Sequence, residues 1–206
     1  MNTWGALILV FTLPGALCWG QASSTYTRRG NFSLSFPISY LETRLLNSDG
    51  SQATYKGGQA GLGLDVQVWG EETSEVRFFG SYMVGETKGD PSSNTAKRDE
   101  SFFGLKVFPN SKLFLAAGLG RLGLRVQNTG SQEAAISANI AGLGVGAEFP
   151  IGTSWYAGFG AWYKTGSIKQ NENPAIGHNS SADNTEIQLM LIWSPPSSTT
   201  NISRPR

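Results

Sequence analysis

Three residues late in the chain have the types that nucleophilic catalysis needs. His178 is the only histidine, Ser180 follows two positions on, and Glu186 is the next glutamate. A histidine so placed would take the serine proton while a carboxylate oriented the ring. The pair lies in Ile168–Asn184, however, a polar stretch of Asn, Ser, Gly and Asp, and a loop of that composition does not fix a triad. The expectation is a solvated loop histidine, with no catalytic residue assigned. Metal chemistry fares worse, because one His and one Cys leave only scattered carboxylates. Gly118-Leu-Gly120-Arg-Leu-Gly123 matches the G-x-G-x-x-G spacing of a dinucleotide site. That motif needs a helix to follow and an acid about twenty positions on. Here strand-like residues follow, and Leu143 stands where the acid would be. No nucleotide and no cofactor are expected.

A second set of chemically active residues is charged. Asp65, Arg77, Lys106, Glu148, Lys164 and Glu186 each sit in a segment that alternates apolar with small or polar residues. The clearest is Ala141–Phe149, where Ala141, Leu143, Val145, Ala147 and Phe149 alternate with Gly142, Gly144, Gly146 and Glu148. A period of two puts one set on each face of a strand. Glycine is a poor strand former, so three on one face imply tight space, as inside a narrow closed barrel. A-G-L-G recurs at Ala60–Gly63, Ala117–Gly120 and Ala141–Gly144, and A-G-F-G at Ala157–Gly160.

The elements that hold these residues follow from the same alternation. Of 206 residues, 15% are charged and 26 are glycine, against the ~25% charge of an average soluble chain. A net charge of +1 argues against a nucleic-acid or general polyanion binder. Met1–Ala22 reads as a secretory signal peptide, with an apolar run from Ala6 and small residues before Ser23. Cys18 lies inside it, so the mature chain would hold no thiol. Eight alternating segments follow: Phe32–Leu41, Ala60–Trp69, Val76–Glu86, Phe102–Phe108, Leu113–Val126, Ala141–Phe149, Trp155–Thr165 and Glu186–Trp193. Polar loops are expected at Asn47–Gly58, Thr87–Glu100, Asn128–Glu133 and Ile168–Asn184, with tight turns between. In the fifth segment Leu113, Leu115, Ala117 and Leu119 share one parity and Leu122, Leu124 and Val126 the other. A β-bulge near Gly120–Gly123 would restore phase. The tail, residues 195–206, is Pro/Ser/Thr-rich and expected to be a disordered periplasmic extension.

Eight strands with long and short connections in strict alternation resemble the small bacterial outer-membrane β-barrels, such as the OmpA transmembrane domain, OmpX and OmpW. The resemblance covers Phe32 to Trp193 and rests on pattern. It implies an all-β fold, an eight-stranded antiparallel up-and-down transmembrane barrel in the cell outer membrane. It also implies contact with outer-membrane lipid and lipopolysaccharide, insertion by the barrel-assembly machinery that reads a terminal aromatic such as Trp193, and an unidentified extracellular ligand.

Aromatic girdles fit this. Phe32, Phe78, Phe149, Trp155 and Trp193 fall near one rim, and Tyr40, Tyr82, Phe103 and Tyr163 near the other. A lipocalin-like soluble barrel would reverse the faces. In the membrane barrel the six charged residues would point inward as an ion-pair network plugging the lumen, with Phe79, Met83 and Trp162 between its layers. The function expected is a structural or surface-binding barrel displaying four loops. The alternatives are a small-solute pore and a lipid-modifying enzyme. Some eight-stranded lipid A deacylases place a His and a Ser two apart beside a Glu, which His178, Ser180 and Glu186 resemble.

Overall fold

The computed structural model describes residues 30–47, 50–70, 74–90, 94–110, 112–127, 133–171 and 179–196. The expected signal segment, His178 and the tail beyond 196 lie outside the described residues. Eight strands run β1 Phe32–Asn47, β2 Gln52–Gly70, β3 Glu75–Asp90, β4 Thr95–Phe108, β5 Leu113–Gln127, β6 Glu133–Pro150, β7 Trp155–Asn171 and β8 Asn179–Trp193. Each pairs antiparallel with its neighbours in sequence, and β1 closes on β8. Closure leaves no unpaired edge, which is what a spanning sheet needs where no water can satisfy its backbone.

The strands are longer than the alternation implied. Much of the polar stretches read as loops is strand: Gln52–Gly58 belongs to β2, Thr95–Glu100 to β4 and Asn179–Asn184 to β8. A 16-residue strand such as β1 spans roughly 40 Å of axis at ~3.3 Å per residue and ~40° tilt, whereas the apolar band of such barrels is ~25 Å tall. About 15 Å of sheet therefore stands clear of the bilayer as a collar.

The collar explains the parity change in β5. No bulge is present there: β5 pairs with β4 and with β6 without a register shift. Leu113, Leu115 and Leu119 face outward, as do Arg121 and Arg125 above them, while Phe114, Ala116, Leu122, Leu124 and Val126 face inward. The faces do not swap; the solvent outside does. Where the strand leaves the lipid, its outer face becomes polar and its inner face apolar. The other strands change at the same ring, from Tyr40 to Glu42, Val84 to Glu86, Phe103 to Ser101, Ala141 to Asn139 and Ile187 to Thr185.

Bulges occur elsewhere, at Leu46/Asn47, Gln67/Trp69 and Ser137/Ala138. The second lets Val68 and Trp69 both lie on the outside, 58% and 56% exposed. Trp69 thus joins the periplasmic aromatic girdle. The termini are tied together at that rim. Ser194 Oγ accepts from Gly30 N (3.1 Å) and donates to Phe32 O (2.9 Å), and Ser194 N donates to Ser154 O (2.8 Å). The described residues run through Ser194 and Pro195 to Pro196, two residues past the expected barrel end.

Candidate functional site: the lumen and its two charged layers

Glycine makes room for the inner aromatics. A Cβ on Gly144 would lie 2.5 Å from Trp162 Cε3, and one on Gly146 would lie 2.5 Å from Phe114 Cζ, closer than carbon atoms approach. The glycine face of β6 is the seat of two rings. Phe79, Phe102 and Trp162 pack on one another with centroids 5.6–5.9 Å apart, and Met83 is buried at the same depth.

Charged side chains lie on both sides of these rings. Toward the periplasm, Lys106 Nζ meets Asp65 Oδ2 at 3.0 Å and Glu148 Oε1 at 3.5 Å, and stands 5.5 Å from the Phe79 centroid and 5.4 Å from that of Phe114. At the level where the outer wall turns polar, Lys164 Nζ bridges Glu186 Oε2 (2.6 Å) and Glu100. Arg98 donates to Glu100, to Gln59 Oε1 (3.0 Å), to Thr43 Oγ1 (2.7 Å) and to Asn184 Oδ1 (3.0 Å). Gln59 Nε2 in turn donates to Glu186 Oε1 (3.1 Å). The upper layer holds two cations and two carboxylates, each hydrogen-bonded as well as ion-paired, the condition under which buried charge is tolerated.

Of the six charges expected to form one network, the structure places five in these two layers. Arg77 stands apart at the periplasmic rim. It is fully buried and donates to Glu75 Oε1 (2.8 Å), Ser33 Oγ (3.0 Å) and Gly30 O (2.7 Å), so it clamps the start of β1. Arg98 and Glu100 were missed because Thr87–Glu100 carries no large apolar residue on either parity. The only trace is that Ala96, Arg98, Glu100 and Phe102 share one parity.

The cavity left between the layers, lined by Asp65, Lys106, Lys164, Gln188 and the aromatic residues, measures about 20 Å³, room for about one water. Above the upper layer the lumen is filled by Leu45, Tyr55, Leu122, Leu124, Val126, Ile136 and Ile140, none more than 3% exposed. Burial pushes the Tyr55 phenol above its ordinary 10.0.

The girdle residues Phe32, Tyr40, Phe78, Tyr82, Phe103, Phe149, Trp155 and Tyr163 all face outward, each at least 40% exposed. Trp193 packs edge-on against Phe32 at 6.0 Å. No described helix is long and apolar enough to cross a membrane, and the crossing is made by strands. The apolar belt outside, the aromatic rims and the charged interior leave one reading of the architecture. The fold is that of the small outer-membrane β-barrels.

Solved structures agree. Neisserial surface protein A superposes with a TM-score of 0.55 at 13% identity, over 81% of this chain and 99% of that one. The outer-membrane protein AlkL gives 0.54 at 15%, over 86% and 95%. Ail, the attachment invasion locus protein of Yersinia pestis, gives 0.50 at 14%, over 81% and 100%. No family model matches the sequence, and no curated protein does.

Of the residues with catalytic types, Glu186 points into the lumen and is engaged by Lys164 and Gln59. His178 and the side chain of Ser180 lie outside the described residues. Among those described, no group of three or more His, Cys, Asp and Glu is arranged to hold a metal.

Proposed function

We propose that the protein is a non-conducting outer-membrane barrel whose membrane half is an anchor and whose collar is a rigid binding surface on the cell exterior. The filled lumen carries this reading. Two charged layers, an aromatic layer and an apolar plug follow one another along the axis, with a cavity of about 20 Å³ between the charged layers. Eight strands leave an interior just wide enough for side chains, and here the side chains take it up. What the architecture spends its extra residues on is the collar, raised by strand extension rather than by long loops. The similarity to Ail, an attachment protein by name, supports a binding role. The unidentified extracellular ligand would meet the collar and its rim.

The enzyme reading is weaker, because Glu186, the carboxylate it requires, is committed to the lumen. In planar bilayers the purified protein is expected to show no sustained conductance, and cells with and without it to share one lipid A mass spectrum. Stable open channels from the wild-type monomer would replace this reading with the pore, and a lost acyl chain would replace it with the enzyme.

A further inference from the structure

The two charged layers of the lumen are not balanced alike. In the upper layer two cations face two carboxylates. Among the described residues the lower layer sets one cation, Lys106, against Asp65 and Glu148, and both carboxylates are at most 2% exposed. Arg77 at the rim does not make up the difference, because Glu75 already matches it. Net charge held out of water is costly unless a counter-charge meets it. The lower layer therefore calls for one more cation, from beyond the described residues.

The periplasmic mouth shows where that cation enters. Phe108 is the last residue of β4 and Tyr156 the second of β7, at strand ends beside the short turns. Inward rings at an open barrel end would face water, yet Phe108 is 1% exposed and Tyr156 9%. Gln67 lies two positions nearer the rim than Asp65, and among the described residues its buried Oε1 meets no hydrogen-bond donor. The mouth is covered, acidic and rich in acceptors.

The backbone brings a segment of this chain to that mouth. Gly30 O accepts from the buried Arg77 guanidinium (2.7 Å) and Gly30 N donates to Ser194 Oγ (3.1 Å), so the chain is held at the edge of the lumen where β1 begins. Arg28 and Arg29 come immediately before Gly30. Arg29 shares the parity of Ser33 and Ser35, both of which face inward. Asp65 pairs with Ser33, four residues on from Arg29, a height of about 10 Å at ~3.3 Å per residue and ~40° tilt. An arginine and a carboxylate reaching toward each other span it.

We propose that the segment before β1 docks in the periplasmic mouth, and that the Arg29 guanidinium is the second cation of the lower layer. Its paired donors suit Asp65 and Glu148, and its flat face suits the rings of Phe108 and Tyr156. The mouth is a guanidinium site whose occupant is the chain's own N-terminal segment. Docking closes from the periplasm a lumen that the collar core closes from outside, and it stands whether or not the collar binds a ligand.

The test is urea unfolding of the mature chain in lipid vesicles, with gel mobility before and after boiling to confirm that each variant is folded. Arg29→Gln is expected to raise the unfolding equilibrium constant roughly tenfold. Arg28→Gln, and a chain ending at Pro196, are expected to leave it unchanged. In a Glu148→Gln background the further change from Arg29→Gln should fall below about twofold, with Asp65→Asn as a second background. Millimolar methylguanidinium should restore Arg29→Gln, and sodium at the same concentration should not. No loss in Arg29→Gln would overturn the proposal, as would the full loss persisting in both neutralised backgrounds. A loss in Arg28→Gln alone, or on truncation at Pro196, would hand the layer to Arg28 or to Arg204 and Arg206 and overturn the assignment to Arg29. Rescue by sodium equal to that by methylguanidinium would show a site for any small cation and overturn it as well.

Discussion

Below the ring at Tyr40, Phe103 and Leu119 the barrel is apolar outside and charged inside. Above it the same eight strands, in continuous antiparallel pairing, are charged outside and apolar inside. In β5 this takes fourteen positions: Leu113, Leu115 and Leu119 outward and then Arg121 and Arg125, against Ala116 inward and then Leu122, Leu124 and Val126. Backbone geometry assigns the faces, and the surrounding solvent decides which should be apolar. The lower tier follows the rule of a membrane barrel and the upper tier that of a water-soluble one. The Arg98–Glu100–Lys164–Glu186 layer is the floor between them.

The largest expected effect tests that floor. Arg98→Met takes from Glu100 one of its two cations, Lys164 being the other, and leaves Gln59 Oε1 and Thr43 Oγ1 without the donor that Arg98 supplies, so urea unfolding in lipid vesicles should show a loss of about 3–5 kcal/mol. Arg44→Met, on the exposed wall, should cost under about 1 kcal/mol. Equal effects would mean that the floor is not a buried network.

Next comes the packing of each tier. Leu124→Ala opens a cavity in the collar core and should cost about 2–5 kcal/mol. Leu115→Ala, on the same strand but facing lipid, should cost much less because acyl chains fill the gap. The wall itself is tested by Leu143→Arg, expected to cost roughly 2–4 kcal/mol at mid-depth. Asn139→Arg, on the same face one step above the ring, should stay within about 0.5 kcal/mol. If Asn139→Arg is as costly as Leu143→Arg, the bilayer reaches higher than the ring.

The smallest effect is in pH. The hydrogen bond from Arg44 holds the Glu42 carboxyl below its ordinary 4.5, and the charges of Arg44 and Lys56 act the same way. Its folded value is depressed, so its contribution is present above pH 4.5 and fades as pH falls through the folded value. The pair is partly exposed and screened, so stability should change by well under about 1 kcal/mol. Glu42→Gln should remove that acid limb from a pH series of unfolding midpoints.

The lower tier was legible from sequence because its alternation is clean. Phe32–Tyr40 and Trp155–Tyr163 carry aromatics at both ends, and Ala141–Phe149 shows its glycine face openly. The upper tier was not, because in Thr87–Glu100 and Asn179–Asn184 both faces carry polar or small side chains and the strand period vanishes. That concealed Arg98 and Glu100. In β5 the period was visible but reversed, and a reversal of polarity within one strand looks the same on paper as a slip of one residue. Arg77 was placed on the correct face, but its partners Gly30, just before β1, and Ser33, within it, come from a part of the chain whose register to β3 no local pattern encodes.

Spin-label accessibility along β5, from Leu113 to Val126 in bilayers, tests the two-tier account most directly. The account predicts that Leu113, Leu115 and Leu119 are accessible to oxygen, that Arg121 and Arg125 on the same parity are accessible to a polar nickel chelate, and that Leu122, Leu124 and Val126 are accessible to neither. Oxygen accessibility at Leu122, Leu124 and Val126 would show that the strand slips by one residue past Gly120, and would contradict it.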